Sequence, residues 1–147
     1  MGGNLGCRRH PQRWQLQSAG GRLLGMLSGT LLAESIRVGP ELRIDGLIVT
    51  GIFRRDFPDE PPGMPTTWTF IEFQAEDDRA DELAQRLADV LTADGGWYAD
   101  FGVGDDHVVV FAGKVFRYRN GDEAGRAEAT QYGLSVGCPP DQLDWTE

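Results

Sequence analysis

The order of segments predicts an α+β domain, and within that class a ferredoxin-like two-layer sandwich. Its sheet is mostly antiparallel, with two helices on one face and two extra strands on the N-terminal side. Three observations carry this expectation. β-Branched and aromatic runs fill 30 to 55, 66 to 75 and 97 to 119, while amphipathic, glycine-flanked stretches fill 78 to 92 and 122 to 136. The order is then strand, helix, strand, hairpin and second helix. Parallel strands joined by a helix take a right-handed crossover, which places both helices on one side of the sheet.

Each element has a local reason. TLLAESIRV (30 to 38) and LRIDGLIVTGIFRR (42 to 55) are aliphatic runs separated by Gly39-Pro40, a turn dipeptide suited to a hairpin. DFPDEPPGMP (56 to 65) has four prolines in ten residues, too many for regular structure, and reads as a surface arm. TTWTFIEFQA (66 to 75) is dominated by residues that favour strands. In the following helix Asp77 or Asp78 can cap, acids fill the first turn, and Gly95-Gly96 provide a stop. Ala80, Leu83, Ala84, Leu87, Val90 and Leu91 make its apolar stripe.

WYADFGV (97 to 103) and HVVVFAG (107 to 113) are strands joined through Gly104-Asp105-Asp106, with KVFRYR (114 to 119) continuing beyond Gly113. The second helix, 122 to 136, has a weak stripe at Ala124, Ala127, Gln131 and Leu134, diluted by Gly125 and Gly133. Leu143 and Trp145 are expected to dock the C-terminal tail.

A chain of 147 residues with 40% apolar content supports one domain with a real core. Residues 1 to 33 carry four arginines and no acid, so the remainder holds 10 basic against 23 acidic groups, a net of -13. Such a body repels phosphate backbones, which argues against nucleic-acid binding. Residues 1 to 28 read as a disordered leader or a misassigned start, with Met26 as the natural first residue and 29 to 147 as the single domain. A twin-arginine export signal at Arg8-Arg9 fits poorly, because glycines break the apolar run after it. No run approaches the roughly 18 apolar residues of a membrane span. The expected setting is the cytoplasm, with Cys7 and Cys138 as free thiols. With His10 and His107 as the only histidines, a closed zinc site is not expected, although the many acids leave oxygen-bound ions such as magnesium open. No cofactor motif is present. GVGDD (102 to 106) links two strands where a dinucleotide fingerprint would open a helix.

Strand alternation singles out the candidate site. Trp68, Phe70, Glu72 and Gln74 share one face of 66 to 75, opposite Ile71, Phe73 and Ala75. Tyr98, Asp100 and Gly102 share one face of the next strand, opposite Trp97, Ala99, Phe101 and Val103. The purely apolar sets are assigned to the helices. Trp68, Phe70, Glu72, Tyr98 and Asp100 then form an open aromatic and acidic surface, extended by Lys114, Phe116 and Tyr118 or else by Arg117 and Arg119, since Gly113 leaves the strand phase open. Such a surface suits a binding or interaction module, with a second copy of the chain or a small molecule as partner. Ordinary packing by the N-terminal strands or the proline arm, with Glu72 and Asp100 paired to Arg54, Arg55 or Arg117, explains the same residues. The enzyme alternative makes Glu72 and Asp100 a carboxylate pair for acid-base work, with Tyr98 as a donor. With 23 acids in the chain, chance pairing is common, so no catalytic residue is assigned. His107, flanked by Asp105 and Asp106, reads as a turn residue.

WTFIEFQAEDDRADELAQRLADVL, GGWYADF, VVVFAGKVFRYRNGDEAGRAEATQYG and QLDW together resemble a group of short hypothetical proteins from actinobacteria. The resemblance spans roughly 30 to 146 and omits the leader. It implies a source and carries over no activity and no site residue.

Overall fold

The computed structural model describes residues 25–58, 66–94, 97–138 and 143. Among these residues six strands form one sheet: β1 (Met26–Leu32), β2 (Ile48–Asp56), β3 (Thr67–Glu76), β4 (Tyr98–Val103), β5 (Asp106–Phe111) and β6 (Lys114–Arg119). Among the described residues two α-helices accompany them, α1 (Ala80–Val90) and α2 (Glu123–Ser135), with single 3-10 turns at Ala33–Ser35 and Asp77–Arg79. The strand order is β2-β3-β1-β4-β5-β6 and every neighbouring pair is antiparallel. Because β3 and β4 both run antiparallel to β1, they are parallel to each other, and α1 carries the chain between them across β1.

Several boundaries differ from the sequence expectation. The first strand begins at Met26, so the leader boundary at 28 falls inside β1; residues 1–24 lie outside the described residues. Beyond Leu32 the chain turns out of the sheet, and β1 and β2 do not form a hairpin around Gly39-Pro40, since β3 lies between them. Ile36, Leu42 and Leu47 of that excursion pack on the core along with Ile44. The proline arm falls outside the description from residue 59 to 65, as do Gly95-Gly96 and Trp145. Neither Asp77 nor Asp78 stands at the N-cap of α1, which is Arg79; both sit in the 3-10 turn that leads into the helix. The helix ends at Val90 as Leu91 goes extended and bridges to Ile36.

The arrangement of layers also needs correction: the helices lie on opposite faces of the sheet. On one face Phe73, Ala75, Ala99, Phe101, Val103, Val108 and Val110 pack against Leu83, Ala84, Leu87 and Ala88 of α1. On the other, Tyr98, Val109, Phe111 and Tyr118 pack against Ala129 of α2, with Cys138 and Leu143 closing the cluster. A two-layer sandwich with both helices together therefore does not describe the molecule.

α2 takes this place because small residues recur at every fourth position. A Cβ built on Gly125 would lie 2.6 Å from the Tyr118 Cβ, and one on Gly133 would lie 2.8 Å from a Leu143 methyl and 3.3 Å from the Phe111 ring. Gly125, Ala129 and Gly133 thus form the contact face, since positions four apart share one side of a helix. The expected stripe of Ala124, Ala127, Gln131 and Leu134 is exposed. The glycines that weaken helix propensity are the ones that permit the approach. Asp122 caps the helix by accepting from the Gly125 amide at 3.0 Å.

Candidate functional site

Cross-strand register places the predicted residues on one face, as alternation required. Across the sheet one row reads Phe53, Phe70, Leu32, then Tyr98, Phe111 and Lys114; a parallel row reads Gln74, Ser28, Gly102, His107 and Tyr118. Between them lies Glu72 against Thr30, which the same register sets beside Asp100, followed by Val109 and Phe116. The open phase across Gly113 is thereby settled: Lys114, Phe116 and Tyr118 belong to this face, and Arg117 and Arg119 to the other.

The face is not open, however. Trp68 and Phe70 are 0% exposed, Tyr98 1%, Asp100 4% and Tyr118 6%, and only Glu72 is half-buried. Two lids account for this. α2 and Leu143 cover Tyr98 and Tyr118. Phe53 and Phe57, from β2 and the residue after it, pack over Trp68 and Phe70, with Phe53 stacked on Phe70 at 4.9 Å and 6°. Trp97 joins this second cluster at 5.5 Å from Trp68. Lying just before β4 begins, it escapes the strand phase that assigned it to the Ala99 side. The aromatic rings are core, and the recognition surface they were expected to offer does not exist in that form.

What remains is the polar centre of the face. The Asp100 Oδ2 and His107 Nε2 lie 3.0 Å apart, and both side chains are buried. Tyr118 sits against the imidazole, ring centres 5.8 Å apart. The other oxygen, Asp100 Oδ1, is the buried side-chain atom among the described residues that has no hydrogen-bond partner. Burial raises the Asp100 carboxyl above the ordinary carboxylate range, and the hydrogen bond and charge of His107 pull it down without reversing the shift.

Asp100 is flanked along its face of β4 by Tyr98 on one side and by Gly102 on the other. Gly102 is exposed, and a Cβ there would meet nothing nearer than the Asp106 carbonyl oxygen at 3.9 Å. A notch in the side-chain layer thus lies over Gly102, between Ser28 on β1 and His107 on β5. Neither His107 nor Gly102 was assigned a role from sequence. The signal was present: a two-residue turn at Gly104-Asp105 pairs Gly102 with His107 and brings the histidine diagonal to Asp100.

Glu72 does not join Asp100. Its Oε1 stands 2.8 Å from where a Gly51 Cβ would be, over β2, whereas Asp100 reaches to β5 on the other side of β1 and β4. The two carboxylates point apart. Nor does Arg117 take the expected partners, since it binds Asp106 at 2.8 Å and Asp81 at 2.9 Å on the α1 side. A surface depression there of about 410 Å³ is lined by Asp77, Asp105, Asp106, Arg117 and Arg119 among others. Arg117 is paired with Asp106 there, and none of the polar side chains lining the depression is buried.

Among the described residues no three His, Cys, Asp or Glu side chains are grouped to hold a metal ion. Among the same residues no helix is long and apolar enough to cross a membrane. Compared with family models, with curated proteins and with solved structures, this chain finds no match in any of the three.

Proposed function

We propose that the protein is a small binding module whose site is the polar centre of the sheet face, reached over Gly102, and whose ligand is a small molecule that donates a hydrogen bond to Asp100. One observation carries this reading: a carboxylate oxygen is buried in the fold with its bonding capacity unused. Leaving such a group unsatisfied costs on the order of 1–3 kcal/mol, and a group of this kind calls for a reason. A donor arriving from outside supplies one. His107 holds the carboxylate by its other oxygen, so the acceptor is presented in a set direction. The acidic body favours a cationic donor, such as a primary ammonium group, over an anion.

The enzyme alternative built on Glu72 and Asp100 has lost its geometric support, because those head groups diverge. Kinship with short actinobacterial proteins, a cytoplasmic setting and the absence of nucleic acid among the partners stay part of this proposal, resting on sequence and charge alone.

The test is a titration of the 15N-labelled full chain with propylammonium and with acetamide, a charged and a neutral donor. Shift changes are expected at Asp100, Gly102 and His107, larger for the cation. Gly102→Val fills the notch without touching the carboxylate and should abolish them, and Asp100→Asn should weaken the response to the cation. A response that survives Gly102→Val, or no response at this site to either donor, overturns the reading.

A further inference from the structure

A sheet face packed beneath other elements is ordinarily apolar, and this one is not. Of the four buried polar or charged residues among the described residues, three lie together on it: Thr30, Asp100 and His107. The register surrounds them with further polar side chains. Gly102 pairs with Ser28 of β1, Ser28 pairs with Gln74 of β3, and Thr30 pairs with Glu72. Directly opposed residues of antiparallel strands share a face, so all of these rise on the Asp100 side of the sheet. Ser28, Glu72 and Gln74 are half-buried. A polar strip thus runs between the aromatic cluster around Tyr98 and the one around Trp68.

On the reading of Asp100 proposed above, a ligand that enters over Gly102 meets two unlike walls. On the β5 side stands buried His107, whose Nε2 lies 3.0 Å from Asp100 Oδ2. On the β1 side stands Ser28, whose hydroxyl both donates and accepts, with the Gln74 amide beyond it able to do the same. Asp100 Oδ1 is left as the oxygen for a ligand lying over β4 and β1. Ser28 is diagonal to Asp100, and diagonal neighbours are about 7–8 Å apart along the backbone. Hydrogen bonds of about 2.8–3.0 Å at both ends leave only a few ångströms of that span, so the two groups that make them belong on neighbouring carbons of the ligand.

The group that meets Ser28 is uncharged. Glu72 and Glu76 stand on either side of Gln74 along the same face of β3, so a carboxylate or phosphate brought to this wall is repelled. A second ammonium is disfavoured by its closeness to the first. A hydroxyl meets neither objection.

We infer that the ligand is a 1,2-amino alcohol, and that Ser28 is the residue that selects it: the ammonium donates to Asp100 Oδ1 while the neighbouring hydroxyl exchanges a hydrogen bond with Ser28 Oγ. Titration of the 15N-labelled full chain with ethanolamine, propylammonium and glycine, on wild type and on Ser28→Ala, tests this. Ethanolamine and propylammonium are alike in size and charge and differ in a hydroxyl for a methyl. Wild type should bind ethanolamine about fivefold more tightly than propylammonium, the worth of one ordinary hydrogen bond, and should bind glycine no more tightly than propylammonium. Ser28→Ala should erase the preference and leave propylammonium binding where it was, whereas a general loosening of the site would weaken both alike. Equal binding of the two amines by wild type, a preference that survives Ser28→Ala, or glycine bound more tightly than ethanolamine overturns the inference and leaves the Asp100 site standing. No response at Asp100, Gly102 and His107 to any of the three overturns both.

Discussion

Gly125→Ala measures how closely α2 seats on the sheet. The added methyl would sit 2.6 Å from the Tyr118 Cβ and 2.8 Å from an Asp122 carboxylate oxygen. Carbon atoms pack best at roughly 3.5–4.0 Å, so the first turn of α2 must shift by about 1 Å. Both obstacles resist: a Cβ is fixed to its strand, and the Asp122 carboxylate is the helix cap. Over-packing of this kind costs about 1–3 kcal/mol, while replacing glycine by alanine in a helix returns at most about 1 kcal/mol. The expected net loss is about 1–2 kcal/mol, which lowers Tm by roughly 3–6 °C for a chain of this size. Urea unfolding followed by circular dichroism should show a lower midpoint at an unchanged slope. At a glycine facing solvent the same change would stabilise. A midpoint at or above wild type would therefore place α2 away from Tyr118 and undo the assignment of the two helices to opposite faces.

Asp100→Asn should change how stability depends on pH. The folded carboxyl is raised above its unfolded value, so wild type has its full benefit below about pH 4 and loses it as pH climbs through the folded value. The variant has no such loss and should gain on wild type over that window, by about 1.4 kcal/mol for each pKa unit of elevation; thermal melts between pH 3 and 8 that show a constant gap would contradict this. Trp68→Ala should cost about 3–5 kcal/mol, since the ring is fully buried among Phe57, Phe70 and Trp97, and a loss below about 1 kcal/mol by urea denaturation would deny the cluster its place. Arg117→Ala, although it breaks two ion pairs, should cost no more than about 1 kcal/mol and less in high salt, because the pairs are solvated.

Much of the sheet was legible because strands advertise their phase. Ile71, Phe73 and Ala75 on one side and Trp68, Phe70 and Glu72 on the other separate by alternation alone, and β3 and β4 show that phase directly. Trp97 broke the rule because it precedes the strand. Pairing order was not legible. Gly39-Pro40 signals a local turn, but nothing local reveals that β3 will insert between β1 and β2, since long-range pairing depends on the whole core.

α2 misled for a different reason. A stripe sought by hydrophobicity favours Ala124, Ala127 and Leu134, whereas the helix approaches the sheet through Gly125, Ala129 and Gly133, whose contribution is smallness. That face in turn decided the site. With α2 on the same side as Tyr98 and Tyr118, the aromatic surface became core and its polar residue became a buried acceptor. The partner of Asp100 was hidden by reading Asp105 and Asp106 together as turn. Only Gly104-Asp105 turn, which frees Asp106 to begin β5 and draws His107 inside.

The most direct trial of the site is the titration of the Asp100 side-chain carboxyl carbon, followed by 13C NMR on the folded chain. A carboxyl that is buried, held by His107 on one oxygen and unmet on the other should titrate above the ordinary value of about 3.9. A midpoint at or below that value would mean a solvated or fully bonded carboxylate, and the open acceptor on which the binding site depends would not exist.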